Sequence, residues 1–358
     1  MKSILFALTF LLSCTIQIHA QQKIIAYYTG DATTLQQYPL HKLTHIIYSF
    51  VKLQNDTLML RDAQQEKTVR ELVLLKKKYP QLKIMVSMGG WSGCEPCSDL
   101  FASPAHRKTF AITSVALFKK YGLDGIDLDW EYPAIEGFPG HKYHHSDKYN
   151  FTELIRALRV EMGNKYILSF AAGGFIKYVY ESVEWEEITP MVDFINLMTY
   201  DLVGGYATVT GHHTPLHAYR GNQEATDKCV TVLLNKNIPP DKLIIGAAIY
   251  ARVWEKVSPD NNGLYQTGVF KEAVDYNKFP QYFNDSSGFV YHWDEKAKAP
   301  YQYNAEKKLF ATFDNEQSIK AKAKYARELG LGGIMFWELI LDKPANGLLD
   351  VMWQELHH

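Results

Sequence analysis

The sequence predicts an α/β chain folded as a (β/α)8 barrel, with a small α+β insertion between the seventh and eighth strands. Three observations carry this. Eight short apolar runs rich in Ile, Val, Phe and Tyr recur along the chain, most of them separated by longer amphipathic segments. The interval between the last two runs is too long for one helix. The turn after the first run, "YYTGDATT", lacks the Gly-rich phosphate loop usual in a doubly wound sheet, which is the competing architecture.

The runs are "KIIAYYTG" (23–30), "HIIYSFV" (45–51), "KIMVSMGG" (83–90), "GIDLDW" (125–130), "YILSFAAGG" (166–174), "FINLMTYD" (194–201), "KLIIGAAIY" (242–250) and "GGIMFWEL" (332–339). Helical periodicity is clear at 63–78, 105–121, 146–162, 223–236 and 316–329. Ser146 is a candidate helix cap, and Gly122 and Gly330 are candidate stops. Between Tyr250 and Gly332 lie strand-like pieces, "GFVYHWD" and "PYQYN", and a helix-like piece, "GVFKEAVDY". The expected organisation is a leader at 1–20, a barrel at 21–253 and 313–358, and an insertion at 254–312.

The first residues, "MKSILFALTFLLSCTIQIHAQQK", carry Lys2, a short apolar core and the small residue Ala20, the pattern of a secretory signal peptide. The expected destination is export, to the medium or the periplasm. The alternative is lipoprotein anchoring through Cys14 of "LLSC". No other stretch is long and apolar enough to span a bilayer. Lys and Arg (38) balance Asp and Glu (39) with no basic run, which speaks against nucleic acid as a partner. The expected state is a monomer. Cys94 and Cys97 form a CxxC, a candidate loop disulfide for an oxidising compartment or else a reduced pair. A zinc site would need two more ligands nearby, so neither a metal nor a cofactor is expected. Cys229 sits in an apolar helical stretch. Asn55, Asn150 and Asn284 head Asn-x-Ser/Thr triplets.

The most informative stretch is "DGIDLDWEYP" at 124–133. Successive side chains on a strand point to opposite faces. Asp127, Asp129 and Glu131 therefore share one face, with Ile126, Leu128 and Trp130 on the other. A surface strand with one wet face also fits this pattern. Stacked like charges repel, however, so the arrangement needs protonation or a chemical use. In a barrel of this kind the active site lies at the C-terminal ends of the strands. There the sequence places Tyr48, Ser49 and Phe50, then Ser87, Gly89, Gly90 and Trp91, then the acids, then Met198, Tyr200 and Asp201, then Tyr250 and Arg252, then Trp337.

From about residue 23 onward the chain resembles the chitinases of glycoside hydrolase family 18. The family pattern DxxDxDxE is met by Asp124, Asp127, Asp129 and Glu131; SxGG by Ser87, Gly89 and Gly90; MTYD by Met198–Asp201; and the last-strand Trp by Trp337. "YxR" at 250–252 and "WDEKAKAPYQYN" at 293–304 are similar to members with an α+β insertion. "SFAAGG" and "AAIYARVW" depart from the commonest wording, which bears on subsite walls rather than on the acid.

The resemblance implies substrate-assisted catalysis with retention, in which the 2-acetamido oxygen of the sugar is the nucleophile. Glu131 would be the general acid and then the base. Asp129 would bond the acetamido N–H and share a proton with Asp127, and Tyr200 would orient the acetamido oxygen. Asp201 and Arg252 would contact sugar. Trp337 would floor the site and Trp91 would be a platform beyond the cleavage point, or else pack its loop. Tyr27, Phe50, Met198 and Tyr250 would line the pocket, with core packing the competing role for the first three. Asp124 is expected to be structural. The implied function is hydrolysis of β-1,4-linked N-acetylglucosamine polymers, chitin or its oligosaccharides. The alternatives are an endo-β-N-acetylglucosaminidase on N-glycan cores, or a non-catalytic lectin, which would usually have lost Glu131 or Asp129.

Overall fold

The computed structural model describes residues 22–221 and 223–357. The leader and Cys14 lie outside them. Eight parallel strands form the central sheet: β1 (Lys23–Tyr28), β2 (His45–Gln54), β3 (Lys83–Gly89), β4 (Gly125–Asp129), β5 (Ile167–Gly173), β6 (Phe194–Met198), β7 (Leu243–Ala248) and β8 (Gly333–Trp337). Each pairs with its sequence neighbours, and β1 pairs with both β2 and β8. The sheet is therefore closed, which excludes the doubly wound alternative.

The period of two sorts side chains between two cores. Ile24, Ile46, Ile84, Val86, Ile126 and Leu128 pack outward with the helices. Ile25, Tyr27, Ile47, Met85, Phe194, Ile244 and Met335 fill the barrel interior. Trp130 faces out and packs on Phe101 and Phe151 of two surrounding helices. Helices occupy the expected segments: Ala63–Leu74, Pro104–Tyr121, Asp147–Met162, Thr226–Asn235 and Glu316–Glu328. Gly122 ends its helix in the left-handed conformation, φ 76°. Ser146 precedes its helix, but its side chain makes no cap hydrogen bond there. Instead, Asp147 Oδ2 accepts from His144 N and from Ser98 Oγ. Asn150 is buried in that helix, so only Asn55 and Asn284 of the three Asn triplets are exposed.

A second, antiparallel sheet of five strands grows from the β7–β8 connection. It comprises Tyr250–Glu255, Val269–Asp275, Val290–Asp294, Ala299–Asn304 and Leu309–Thr312. Two local expectations change. Residues 268–276, expected to be helical, form an edge strand, because alternation in "VFKEAVD" lets it pair along Tyr250–Glu255. Tyr250 and Arg252, expected at the end of the seventh barrel strand, instead open this sheet, after β7 has ended at Ala248. Cys94 and Cys97 are joined as a disulfide, and Cys229 is a buried free thiol.

Candidate active site

The site is built from residues at the C-terminal mouth of the barrel. Parallel register sets Asp127 beside Ser87 of β3 and Ser169 of β5. Asp127 is fully buried and receives hydrogen bonds from Tyr27 Oη (2.8 Å), Ser169 Oγ (2.6 Å), Asn196 Nδ2 (3.0 Å) and Ser87 Oγ (3.5 Å). Burial raises its pKa, while these hydrogen bonds pull it back. Its carboxylate is thus held by neutral donors.

One residue pair further along, Asp129 has no such set of donors. Its buried Oδ1 lacks a hydrogen-bond partner among the described residues. Burial, then the charges of Glu131 and Asp127, then its hydrogen bond with Glu131 all raise its pKa well above the ordinary range. Its hydrogen-bonding neighbour along the stack is thus Glu131.

Glu131 follows the strand and is part-buried. Burial pushes its pKa up to about 7, and the charge of Asp201 adds to this. Hydrogen bonds with Tyr132 and Asp129 act in the opposite direction. A carboxylic acid poised near neutrality can both give and take a proton.

Asp201 is ionised. Burial alone would raise its pKa, but nearby His213 and the hydrogen bonds and charge of Arg252 hold it well below the usual range. His213 Nδ1 lies 3.5 Å from Asp201 Oδ1. Tyr200 remains a neutral hydroxyl, because burial and neighbouring tyrosine and carboxylate groups raise its pKa strongly. Its ring meets Tyr250 edge-on at 6.4 Å, and Arg252 lies over the Tyr250 ring at 5.1 Å.

Aromatic rings line the mouth. Trp337 stacks on Phe50 at 5.6 Å and contacts Tyr27 at 5.7 Å. Phe50 in turn requires Gly90, where a Cβ would lie 2.5 Å from the ring. At Gly89, φ 114°, a Cβ would lie 2.0 Å from the Asp129 carbonyl. Gly89 thus lets β3 close onto the strand bearing the acids, and Gly90 leaves room for Phe50 of β2. Trp91, 39% exposed, packs against Tyr132 and Phe138 of the loop after β4 and Tyr206 of the loop after β6. Met198 is buried in the barrel interior.

Asp124 stands apart at the bottom of the strand. It accepts from Ile84 N and Lys76 Nζ, at 2.7 and 2.9 Å, and ties β4 to β3. Sequence reasoning missed Ser169, Asn196 and His213. Asn196 had a signal, because it shares the inward face with Met198 and Tyr200 at period two. Ser169 likewise alternates with inward Ala171. His213 comes from a loop and had no periodic signal. Among the described residues, no group of three or more His, Cys, Asp or Glu is arranged to hold a metal.

The sequence profile of Glycosyl hydrolases family 18 matches residues 23–342. Chitinase A1 of Niallia circulans is 34% identical over 299 residues, covering 77% of this chain. The match spans only 43% of that relative's length. A solved structure of a family 18 N-acetylglucosaminidase from Paenibacillus barengoltzii superposes with a TM-score of 0.84 at 34% identity, covering 93% of this chain and 99% of that one. Chitinase ChiA74 from Bacillus thuringiensis superposes with a TM-score of 0.87 at 29% identity, covering 94% of this chain and 70% of that one.

Proposed function

The chain belongs to glycosyl hydrolases family 18, and on that premise we propose that it hydrolyses β-1,4-linked N-acetylglucosamine chains by substrate-assisted catalysis. The observation that carries this reading is the stack Asp127–Asp129–Glu131, in which the outermost acid is poised near neutrality and the proton affinity of the middle one is raised by burial and by its two acidic neighbours. Most retaining glycosidases need a second carboxylate as nucleophile. Here Asp201, the acid that follows β6 at the mouth, is engaged by Arg252, and Glu338, which follows β8, accepts from Thr29 N. The nucleophile therefore comes from the substrate, which restricts the sugar beside the cleaved bond to an N-acetylated one.

In this mechanism Glu131 protonates the glycosidic oxygen. The acetamido oxygen closes on the anomeric carbon, oriented by the Tyr200 hydroxyl. Asp129 turns toward the acetamido N–H, for which its unpartnered Oδ1 is suited. Glu131, now a carboxylate, takes a proton from the water that opens the oxazolinium ion. The pyranose ring rests on Trp337, and Trp91 extends the platform.

Export as a monomer accompanies this reading. The leader pattern and a Cys94–Cys97 disulfide both suit an oxidising compartment. Among the described residues, no helix is long and apolar enough to cross a membrane.

The test is product analysis on chitohexaose beside a high-mannose glycopeptide, with the anomer first formed read by proton NMR. Oligosaccharides released from chitohexaose with retained β configuration support the reading. Cleavage of the glycopeptide alone makes the protein an endo-β-N-acetylglucosaminidase, and binding without cleavage of either makes it a lectin.

A further inference from the structure

Beneath the site, outside the residues given a role above, lies a buried ion pair. Lys322, on the helix Glu316–Glu328, and Asp314 have fully buried side chains and meet at 2.6 Å. Such a pair rarely adds net stability over apolar residues of similar volume, because desolvation offsets the attraction. Its position is informative. Lys322 Nζ also donates to Thr214 Oγ1 at 2.5 Å and approaches the Gly246 carbonyl at 3.4 Å. Asp314 Oδ2 further accepts from Ala248 N, and Oδ1 from Ser318 Oγ.

Thr214 Oγ1 lies 3.0 Å from the Thr199 carbonyl and 3.1 Å from Asp314 Oδ2. A hydroxyl has one proton, so it satisfies only one of these acceptors well. Lys322 occupies a lone pair of Thr214 and already neutralises Asp314, which directs the hydroxyl proton to Thr199. Thr199 is pinned a second time, because its Oγ1 bonds both N and O of Gly246 at 2.9 and 3.1 Å. The next two residues are Tyr200 and Asp201. Tyr200 lies against Gly246, where an added Cβ would come within 2.9 Å of its ring. The adjoining loop is fastened too, by Leu202 N to the His213 carbonyl at 2.9 Å.

We propose that Lys322, acting through Thr214 and Asp314, is a positioning residue that fixes the backbone carrying Tyr200 and Asp201 for the hydrolytic reaction. This rests on the functional reading above. Small displacements of an orienting group cost rate rather than fold.

Thr214→Val keeps the volume and the ion pair but removes the directing hydroxyl, whereas Thr214→Ser keeps the hydroxyl. With chitohexaose as substrate, Thr214→Val should lose about 10- to 100-fold in kcat with KM changed by less than about twofold, and Thr214→Ser should regain most of the loss. Lys322→Met should match Thr214→Val in kcat with a larger fall in melting temperature. If Lys322→Met does not fold, the threonine pair still decides. Full kcat in Thr214→Val, or a loss that Thr214→Ser does not reverse, overturns the assignment. An unmodified protein that turns over no oligomer overturns the functional reading, and this inference with it.

Discussion

Arg252 holds Asp201 in a fork, with Nε 2.8 Å from Oδ1 and Nη2 2.5 Å from Oδ2. The two residues come from different sheets, Asp201 from just beyond β6 and Arg252 from the first strand of the insertion. Two parallel bonds to a partly buried carboxylate favour its ionised form. That charge is one of the causes raising Glu131. The insertion therefore reaches the acid's proton affinity through one ion pair.

Replacing Asp201 with Asn removes that charge. Glu131 must be protonated to act as an acid, so activity should fall as pH rises past about 7. In Asp201→Asn the alkaline limb of kcat/KM should move to lower pH. A pH–rate profile on chitohexaose checks it, and an unmoved limb would remove Asp201 from the electrostatics of the acid.

Glu131→Gln should lower turnover by about 10²- to 10⁴-fold or more while oligosaccharide binding, read by tryptophan fluorescence, persists. Stability should also change with pH. The folded-state pKa of Glu131 lies above its ordinary 4.5, so the fold binds this proton more tightly than the unfolded chain does. Stability from this group is full below the unfolded value and is lost as pH rises toward about 7. Glu131→Gln should therefore melt above the native protein at alkaline pH, with the gap closing toward 4.5. Melting curves across that range test the sign.

Tyr27→Phe deletes one of the four donors to Asp127. Leaving a buried carboxylate short of a partner costs about 1–3 kcal/mol, measurable as a lower urea midpoint. Turnover should fall with it, because Asp127 supports the charge balance of Asp129.

Trp91→Ala should raise KM for chitohexaose about 5- to 10-fold, the scale of one lost aromatic contact, and leave hydrolysis of an aryl glycoside with no sugar beyond the cleavage point nearly unchanged. Equal losses on both substrates would assign Trp91 to loop packing with Tyr132 and Phe138.

A non-hydrolysable thiazoline analogue of the oxazolinium intermediate should inhibit competitively and more tightly than an N-acetylglucosamine oligosaccharide of the same length. Inhibition titrations decide this, and the absence of inhibition would rule out nucleophilic participation by the acetamido group.

Much of the fold was legible because its signals are local. Apolar runs of strand length, amphipathic intervals and caps such as Gly122 specify elements within a few residues. The acids were legible for the same reason, since alternation along β4 puts Asp127 and Asp129 on one face and Glu131 follows at the same spacing just beyond the strand. The edge strand Val269–Asp275 was misread as helix because its identity depends on a partner strand, Tyr250–Glu255, rather than on its own composition.

By itself, then, the sequence determined the eightfold strand alternation, the inward face of the acids and the residue types at the mouth. Only the tertiary structure decided how protons and charges are distributed among them. The donors that hold Asp127 come from β1, β3, β5 and β6. The charge that raises Glu131 is held in place by an arginine of the insertion and a loop histidine. Proton affinity depends on burial and on groups within a few ångströms, and those neighbours are distant along the chain until the barrel closes.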